Sequence, residues 1–270
     1  MTTKRTATGK PELLDRSAEL TVPAPVAGVP GPGQWLVFDY EPTSLFSLKM
    51  AAATSSVGRS LLTPTPYAVK MAFVDAAFCT GRGENAGELV RALAVCEVRV
   101  GVPQRAALTH TIIKVRQEKR PATAGQPYIS AVAYREFVHF RGRLRWAFNL
   151  ARTPNTIAEL FVALAPSIHY IGKRGSFIQF QDTSRMTELG PEFTEPLVPG
   201  KPYEMGGLAH VAILDDFGPE ADLDALNSYS DTPIKRDKHR RFVHTLVPLA
   251  VVNEGPGFTE YLGPSKLFAE

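Results

Sequence analysis

The chain has 270 residues, a hydrophobic content of 44%, a charged content of 21% and a formal net charge of +3. These proportions are ordinary for a folded domain with a buried core. The two cysteines, Cys79 and Cys96, exclude a disulfide framework and a cysteine-rich zinc site, and their apolar surroundings predict buried thiols. No apolar run approaches the roughly 20 residues that cross a bilayer. We therefore expect a cytoplasmic protein with no cofactor, no metal and no membrane contact.

The positive charge is concentrated in the middle third of the chain. Between Arg99 and Arg185 there are 14 lysines and arginines but only 4 aspartates and glutamates. A basic surface on such a protein is typical of binding to a polyanion, most often nucleic acid. A solvated charged face without a ligand is the alternative interpretation.

Residues 1–33 are predicted to form a flexible tail, because they begin polar and basic and end rich in proline and glycine. The first strand is predicted within residues 34–50. A loop of small and hydroxyl residues follows at 51–66, and the apolar spacing of residues 67–78 predicts a helix. Pro66 fits the first turn of that helix, where a missing backbone N–H is tolerated.

The next segments are predicted as a short helix over residues 88–94 and a strand over residues 95–100. Residues 103–128 then combine three prolines with a β-prone stretch and a basic patch. This composition predicts a protruding hairpin, or thumb, that is basic at its tip. A surface excursion without a partner is the alternative.

The strongest strand pattern lies within residues 132–150. Apolar residues at 144, 146 and 148 alternate with Arg143 and Arg145, so one face should join the core while the other presents two arginines. A helix is predicted next, with Thr153 as its N-cap, Pro154 at its first position and an apolar stripe that begins at Ile157.

Two strand segments complete this part of the chain, at residues 168–171 and 177–180. Without the thumb, the order of elements is βαββαβ, the ferredoxin-like arrangement that RNA-recognition modules also have. We therefore predict an α+β fold with a ferredoxin-like domain over residues 34–180. Residues 181–270 are predicted to form a small, irregular and β-rich extension, with a strand over residues 242–252.

The turn Gly172–Ser176 places Lys173 and Arg174 between glycines. Glycines allow backbone N–H groups to approach a phosphate, and the two cations would reinforce that binding. The Walker spacing is absent, so nucleotide hydrolysis is not predicted, and a plain hairpin turn is the alternative. A second basic run, residues 235–241, is either solvated or touches a nucleic-acid backbone, and Asp215 and Asp216 are predicted to lie in a solvated turn.

The six histidines form no compact metal motif. His110 is of interest because it lies within the basic hairpin. Metal-free RNA cleavage needs a base, an acid and a cation, and His110, Lys114 and Tyr134 form one candidate set. Tyr128, Tyr134 and Phe137 are candidates for stacking on an unpaired base, with core packing as the alternative.

Four segments carry a resemblance to a known family. They are Ser60–Tyr67 (SLLTPTPY) before an apolar helix, Tyr134–Val138 (YREFV) after a basic hairpin, and Ala163–Pro166 (ALAP) before Tyr170–Phe177 (YIGKRGSF). In this order they resemble the Cas-five family of CRISPR effector complexes, which belongs to the RAMP superfamily. The resemblance covers about residues 34–180 and, more loosely, the C-terminal strand.

This resemblance implies a non-catalytic subunit of a Cascade-type complex that holds the 5′ handle of the guide RNA (crRNA). Its partners would be a Cas-seven-like backbone subunit and the large subunit, with target DNA near the PAM as a further candidate. The thumb, the glycine loop and the handle-facing loop Arg59–Tyr67 would then contact RNA. The expected RNA-binding residues are Arg59, Ser60, Thr63, Thr65, Tyr67, Lys114, Arg116, Lys119, Arg120, Arg143, Arg145, Lys173, Arg174 and Ser176.

Some relatives also cut precursor RNA, using a tyrosine, a lysine and a histidine of which the last two are adjacent. The only Lys-His dipeptide here is Lys238-His239, far along the chain in the second basic run, so this sequence departs from that pattern. Two alternatives stay open. One is a metal-independent endoribonuclease on the same fold, and the other is a small assembly protein whose basic face meets an acidic partner.

Overall fold

The computed structural model describes residues 35–50, 57–123, 126–203 and 209–264. The predicted tail, residues 1–33, lies outside the described residues, and so do the side chains of Lys119 and Arg120. Within the described ranges, no helix is both long and apolar enough to span a bilayer.

The described residues form both strands and helices, and the strands predominate. The strands are β1 (Trp35–Pro42), β2 (Val57–Gly58), β3 (Val98–Gly101), β4 (Arg105–Thr123), β5 (Gln126–Arg141), β6 (Leu144–Asn149), β7 (Ile178–Met186), β8 (Glu195–Pro196), β9 (His210–Phe217), β10 (Arg240–Val247), β11 (Ala250–Gly255) and β12 (Phe258–Leu262). The α-helices are α1 (Pro66–Cys79), α2 (Ala86–Val95), α3 (Asn155–Leu164) and α4 (Leu223–Leu226).

A four-stranded sheet has the order β3-β6-β1-β7, and every neighbouring pair in it is antiparallel. Helices α1 and α2 connect β1 to β3, and α3 connects β6 to β7. This is the order and connectivity of the split-βαβ, ferredoxin-like fold. The predicted α+β fold class is therefore confirmed.

One face of this sheet packs against the helices. Phe38 and Phe148 point to that face, as the alternation along their strands predicts, and both rings contact Phe73 of α1 at centroid distances of 5.4 and 5.0 Å. Phe161 of α3 completes the cluster at 5.6 Å from Phe73. All four side chains are fully buried. Such aromatic burial is the main stabilising contribution to the core.

Helix α1 is enclosed on more than one side, because β9 packs on it as well. Its sequence is accordingly apolar all round, and even Lys70 is completely buried. The Lys70 ammonium lies 2.6 Å from Asp216 in β9, so the charge is compensated within the protein. Buried ions are tolerated when they are paired in this way. The pair joins the ferredoxin-like part to the C-terminal extension.

The hairpin between β3 and β6 is longer than the predicted thumb. β4 and β5 pair from Arg105 opposite Arg141 out to Thr123 opposite Gln126, whereas residues 103–128 were predicted. The sequence from 132 to 141 is strand, as predicted, but it is the second arm of this hairpin. Gly142 turns the chain from β5 into β6 at a φ of 101°, a conformation that favours glycine.

The hairpin also anchors the end of the chain. It belongs to a five-stranded sheet with the order β11-β12-β4-β5-β2, in which β12 pairs with the base of β4. A third sheet has the order β8-β10-β9. The predicted strand over residues 242–252 is thus two strands in different sheets, separated where Pro248 interrupts the pairing.

Several local predictions are corrected. Helix α3 begins at Asn155 with Pro154 at the N-cap position, because residues 150–152 form a short 3-10 turn that Asn149 caps. Residues 168–171 are not a strand, and β7 begins at Ile178. Cys96 is buried, but Cys79 at the end of α1 is exposed.

Candidate nucleic-acid interface

A cleft of about 720 Å³ opens where the hairpin, the loop after β2 and the C-terminal strands meet. The loop contributes Arg59, Ser60 and Thr63 to its wall, and the hairpin contributes Glu136. The cleft therefore brings part of the predicted handle-facing loop against the base of the predicted thumb.

Several predicted contact residues turn out to support the loops from inside. The Ser60 and Ser176 hydroxyls accept hydrogen bonds from the backbone N–H groups of Leu48 and Ser47, at 3.1 and 3.2 Å. Thr65 caps α1 by accepting from the Ala68 N–H at 3.1 Å. Ser60, Ser176 and Thr65 are buried, and so is Thr63. Their burial indicates that these four residues position the loops, although Ser60 and Thr63 also line the cleft, and their role as RNA contacts stays a prediction.

The candidate catalytic residues lie on one face of the hairpin. The His110 and Tyr134 rings are stacked at a centroid distance of 5.8 Å. Lys114 lies opposite Val132, two residue pairs closer to the hairpin tip than Tyr134, and is exposed. The Tyr134 hydroxyl donates to Glu136 at 3.3 Å. Burial and the neighbouring Glu136 carboxylate raise the pKa of Tyr134, which favours its protonated form.

Cations without a carboxylate partner cluster around this face. Among the described residues, no Asp or Glu ion-pairs with Arg59, Lys114 or Arg116, and all three are exposed. Arg59 stands on the cleft wall, while Lys114 and Arg116 share the hairpin face with Tyr134. Tyr128 lies further along that face and is 60% exposed. Exposed cations beside an exposed ring suit an unpaired, charged strand.

The glycine loop sits next to the same region. Ser44 bridges to it by donating to the Gly175 carbonyl and accepting from the Phe177 N–H, at 2.7 and 2.6 Å. Gly172 adopts a φ of 69° and lies close to Leu48. A Cβ at position 172 would be 2.9 Å from the Leu48 Cδ1 atom. Lys173 and Arg174 between these glycines are exposed.

The open face of the four-stranded sheet is different. Arg143 pairs with Asp39 at 3.0 Å and Arg145 with Glu192 at 2.9 Å. The Arg145 guanidinium also lies 5.3 Å from the centre of the Phe193 ring. These two arginines are on the predicted face, but carboxylates within the protein partly neutralise their charge. Their role as RNA contacts stays a prediction.

A second, smaller cleft of about 440 Å³ adjoins the first, and the two share Leu61 and Ile213. Tyr67 lines it, with the Arg240 guanidinium 4.6 Å from the ring centre. Arg240 also donates to Asp215 at 2.7 Å. The Tyr67 ring, predicted as an RNA contact, is thus already in contact with the Arg240 guanidinium of the same chain.

The second basic run is mostly neutralised. Arg241 pairs with Asp216 at 2.7 Å, and Lys238 pairs with Glu220 at 3.0 Å. His239 is buried, and its Nδ1 accepts from the Lys235 N–H. Asp216 is also buried, at the end of β9, so the predicted solvated turn is wrong for this acidic pair.

The far wall of the larger cleft consists of C-terminal residues, among them His210, Val211, Ile213, Arg236, Phe242 and Tyr261. Of these, only Arg236, in the second basic run, was predicted as a candidate contact. Burial lowers the pKa of His210, so its imidazole is neutral at pH 7. The alternating apolar residues Val211 and Ile213 mark this strand in the sequence, but no local pattern shows which elements it faces.

Comparisons with known proteins find little sequence similarity. No protein-family model matches the chain, and no curated protein matches it. Among solved structures, the chain is similar to a crystal structure of a CRISPR protein from Archaeoglobus fulgidus. The identity is 12% and the TM-score 0.43, over 85% of this chain and 92% of that chain.

Proposed function

We propose that this protein is an RNA-binding subunit of a type I CRISPR–Cas surveillance complex of the Cascade kind, where it holds the 5′ handle of the crRNA. Its partners in that complex would be a Cas-seven-like backbone subunit and the large subunit, and target DNA near the PAM would pass close by. The protein would act as a binder and not as an enzyme.

One observation carries this proposal. Arg59, Lys114 and Arg116 are exposed and have no carboxylate partner within the described ranges, and they lie on the cleft wall and along one face of the hairpin. A single strand bound there would meet cations for its phosphates and rings such as Tyr128 for its bases. The ferredoxin-like topology and the resemblance of the loop motifs to the Cas-five family agree with this function.

The test replaces Lys114 and Arg116 together by alanine. Each lost phosphate contact on a single strand lowers the salt slope of log K by about 0.7, so the double variant should lower it by about 1.4 and bind RNA more weakly at every salt concentration. Fluorescence anisotropy with a labelled single-stranded RNA, measured across a salt series, gives both quantities.

The matched control is the double variant Arg143→Ala, Arg145→Ala, which removes the same charge from the open sheet face. It should change the slope little, because both arginines already have carboxylate partners. Equal slopes for the hairpin variant and the unmodified protein would contradict the hairpin as the contact surface. No RNA binding by the unmodified protein would favour the assembly-protein alternative.

The endoribonuclease alternative has one observation in its favour, the His110–Tyr134 stack with Lys114 on the same face. The raised pKa of Tyr134 favours neither function, because a protonated tyrosine can still act as the general acid. Incubation with precursor RNA in EDTA separates the two functions. Site-specific cleavage that His110→Ala abolishes would replace the binding proposal, while intact RNA supports it.

A further inference from the structure

We infer that the larger cleft is a base-selective subsite in which the Glu136 carboxylate recognises guanine. This inference rests on the proposed function, because it assumes that single-stranded RNA enters the cleft. It adds a specificity-determining residue that the analysis of motifs did not identify, and it assigns the cleft a ligand of stated chemistry.

The Glu136 carboxylate is fixed in position before any ligand arrives. The side chain lies on β5, is only 6% exposed and lines the cleft. One oxygen accepts from the Ser60 N–H at 2.8 Å, and the other accepts from the Tyr134 hydroxyl at 3.3 Å. Each carboxylate oxygen has a second acceptor position, so both can still accept from a ligand.

The two acceptor oxygens of one carboxylate can distinguish the four bases by the hydrogen-bond donors that each base presents. Guanine presents two adjacent donors, N1–H and N2–H, that match two carboxylate oxygens in a bidentate arrangement. Adenine and cytosine offer one amino group each. Uracil offers a single imino N–H between two carbonyl oxygens, which the carboxylate repels. The expected order of preference is guanine first, adenine and cytosine next, and uracil last.

The surroundings of Glu136 suit a nucleotide. Val211 and Ile213, which are 46% and 49% exposed, provide an apolar surface for a base, and the rings of Phe242 and Tyr261 line the same cleft. Arg59 stands on its wall and can neutralise a phosphate, and Arg236, which stands there too, lies 3.9 Å from the Asp237 carboxylate and 5.4 Å from the centre of the Phe242 ring. A cationic peptide group would also satisfy Glu136, but these two arginines would repel it.

The first experiment uses the unmodified full-length chain. Labelled octamers of uridine, each with one guanosine at a different position, are compared with the all-uridine octamer. A well-placed bidentate contact should tighten binding by about tenfold for at least one position. Inosine in place of that guanosine removes the N2 amino group and should abolish most of the gain.

The second experiment uses Glu136→Gln, with Glu159→Gln on the exposed side of α3 as the matched control. A glutamine offers one acceptor and one donor, the arrangement that pairs with adenine, so the preference should move from guanosine to adenosine. The control should keep the guanosine preference. Thermal unfolding of both variants shows whether the fold is retained.

The possible results separate this inference from the function on which it rests. Equal binding of all octamers by the unmodified protein would overturn the guanine subsite and leave RNA binding intact. A guanosine gain that survives inosine substitution would also overturn it. No binding of any octamer would instead contradict the proposed function itself. If Glu136→Gln does not fold, the inosine comparison still decides.

Discussion

The molecule has two arginine-rich surfaces, and they differ in what the arginines already bind. On the open face of the four-stranded sheet, Arg143 and Arg145 each pair with a carboxylate. On the hairpin and cleft, Arg59, Lys114 and Arg116 have no ion-pair partner among the described residues. Both surfaces carry cations, but only those of the sheet face are paired with carboxylates within the described residues.

The comparison shows that charge density along the chain does not locate a binding surface. A paired arginine keeps free N–H donors, but its carboxylate partly neutralises its charge, so it attracts a phosphate less strongly than an unpaired arginine does. In RNA-recognition modules the open sheet face stacks on bases. Here the chain itself covers part of that face, because Phe193 packs on Trp35 and Val37.

The largest expected effect concerns this cover. Phe193 is 5% exposed, and the segment that carries it is held by hydrogen bonds from the Val102 N–H to Glu192 and from the Thr194 N–H to Val100, both at 2.9 Å. Phe193→Ala should lower the free energy of unfolding by about 3–5 kcal/mol, the usual cost of removing a buried aromatic ring. Urea unfolding measures it.

Phe177→Ala is the matched control, because the Phe177 ring is 52% exposed and should contribute little. RNA affinity of the folded Phe193→Ala protein then sharpens the comparison. Unchanged affinity is expected if the sheet face takes no part in binding. A marked increase would show that uncovering Trp35 and Arg145 creates a second binding surface, and the contrast between the two faces would fail.

An intermediate effect is expected for Arg59→Ala. Arg59 stands on the cleft wall with no carboxylate partner in the described part of the chain, so its loss removes one charge-assisted contact. RNA affinity should fall about tenfold, since a hydrogen bond to a charged group contributes roughly 1.5 kcal/mol or more. Arg91→Ala, an exposed position on α2, should leave the affinity unchanged when both are measured by anisotropy.

The smallest effect is the pH dependence of His210. Burial lowers its folded-state pKa below the unfolded value of about 6.5, so its contribution to stability is complete above that pH and is lost as the pH falls through the folded pKa. Between pH 7 and pH 5, the unmodified protein should therefore lose more unfolding free energy than His210→Gln. Urea unfolding at the two pH values measures both losses, and identical losses would contradict this assignment.

Much of the ferredoxin-like part was predictable because its signals are local. Alternation along residues 143–150 indicated which face of β6 is buried, and apolar spacing indicated α1 and α3. The hairpin was predicted, but its predicted range ended too early. The sequence does not show that β5 pairs with β4 and not with the four-stranded sheet. Strand order depends on such distant pairings, which composition does not encode.

The candidate site was predictable only in part. Lys114 and Arg116 were predicted from charge and Arg59 from the resemblance of its loop to the Cas-five family, but the hydroxyls of Ser60 and Thr65 are buried. The pairing of Asp216 with both Lys70 and Arg241 joins residues far apart in the chain. A sequence shows these charges without showing their partners, so a buried ion pair and a solvated turn look alike.

The pairing of β12 with β4 has a consequence for how the chain folds during synthesis. Phe258 lies opposite Thr109, so the base of the hairpin gains its neighbouring strand only after β12 has been translated. The ferredoxin-like sheet, whose strands all precede residue 187, can assemble earlier on the ribosome. Distant pairings of this kind form slowly. Until then β4 has an unpaired edge, and we expect nascent or truncated chains to need protection from aggregation at that strand.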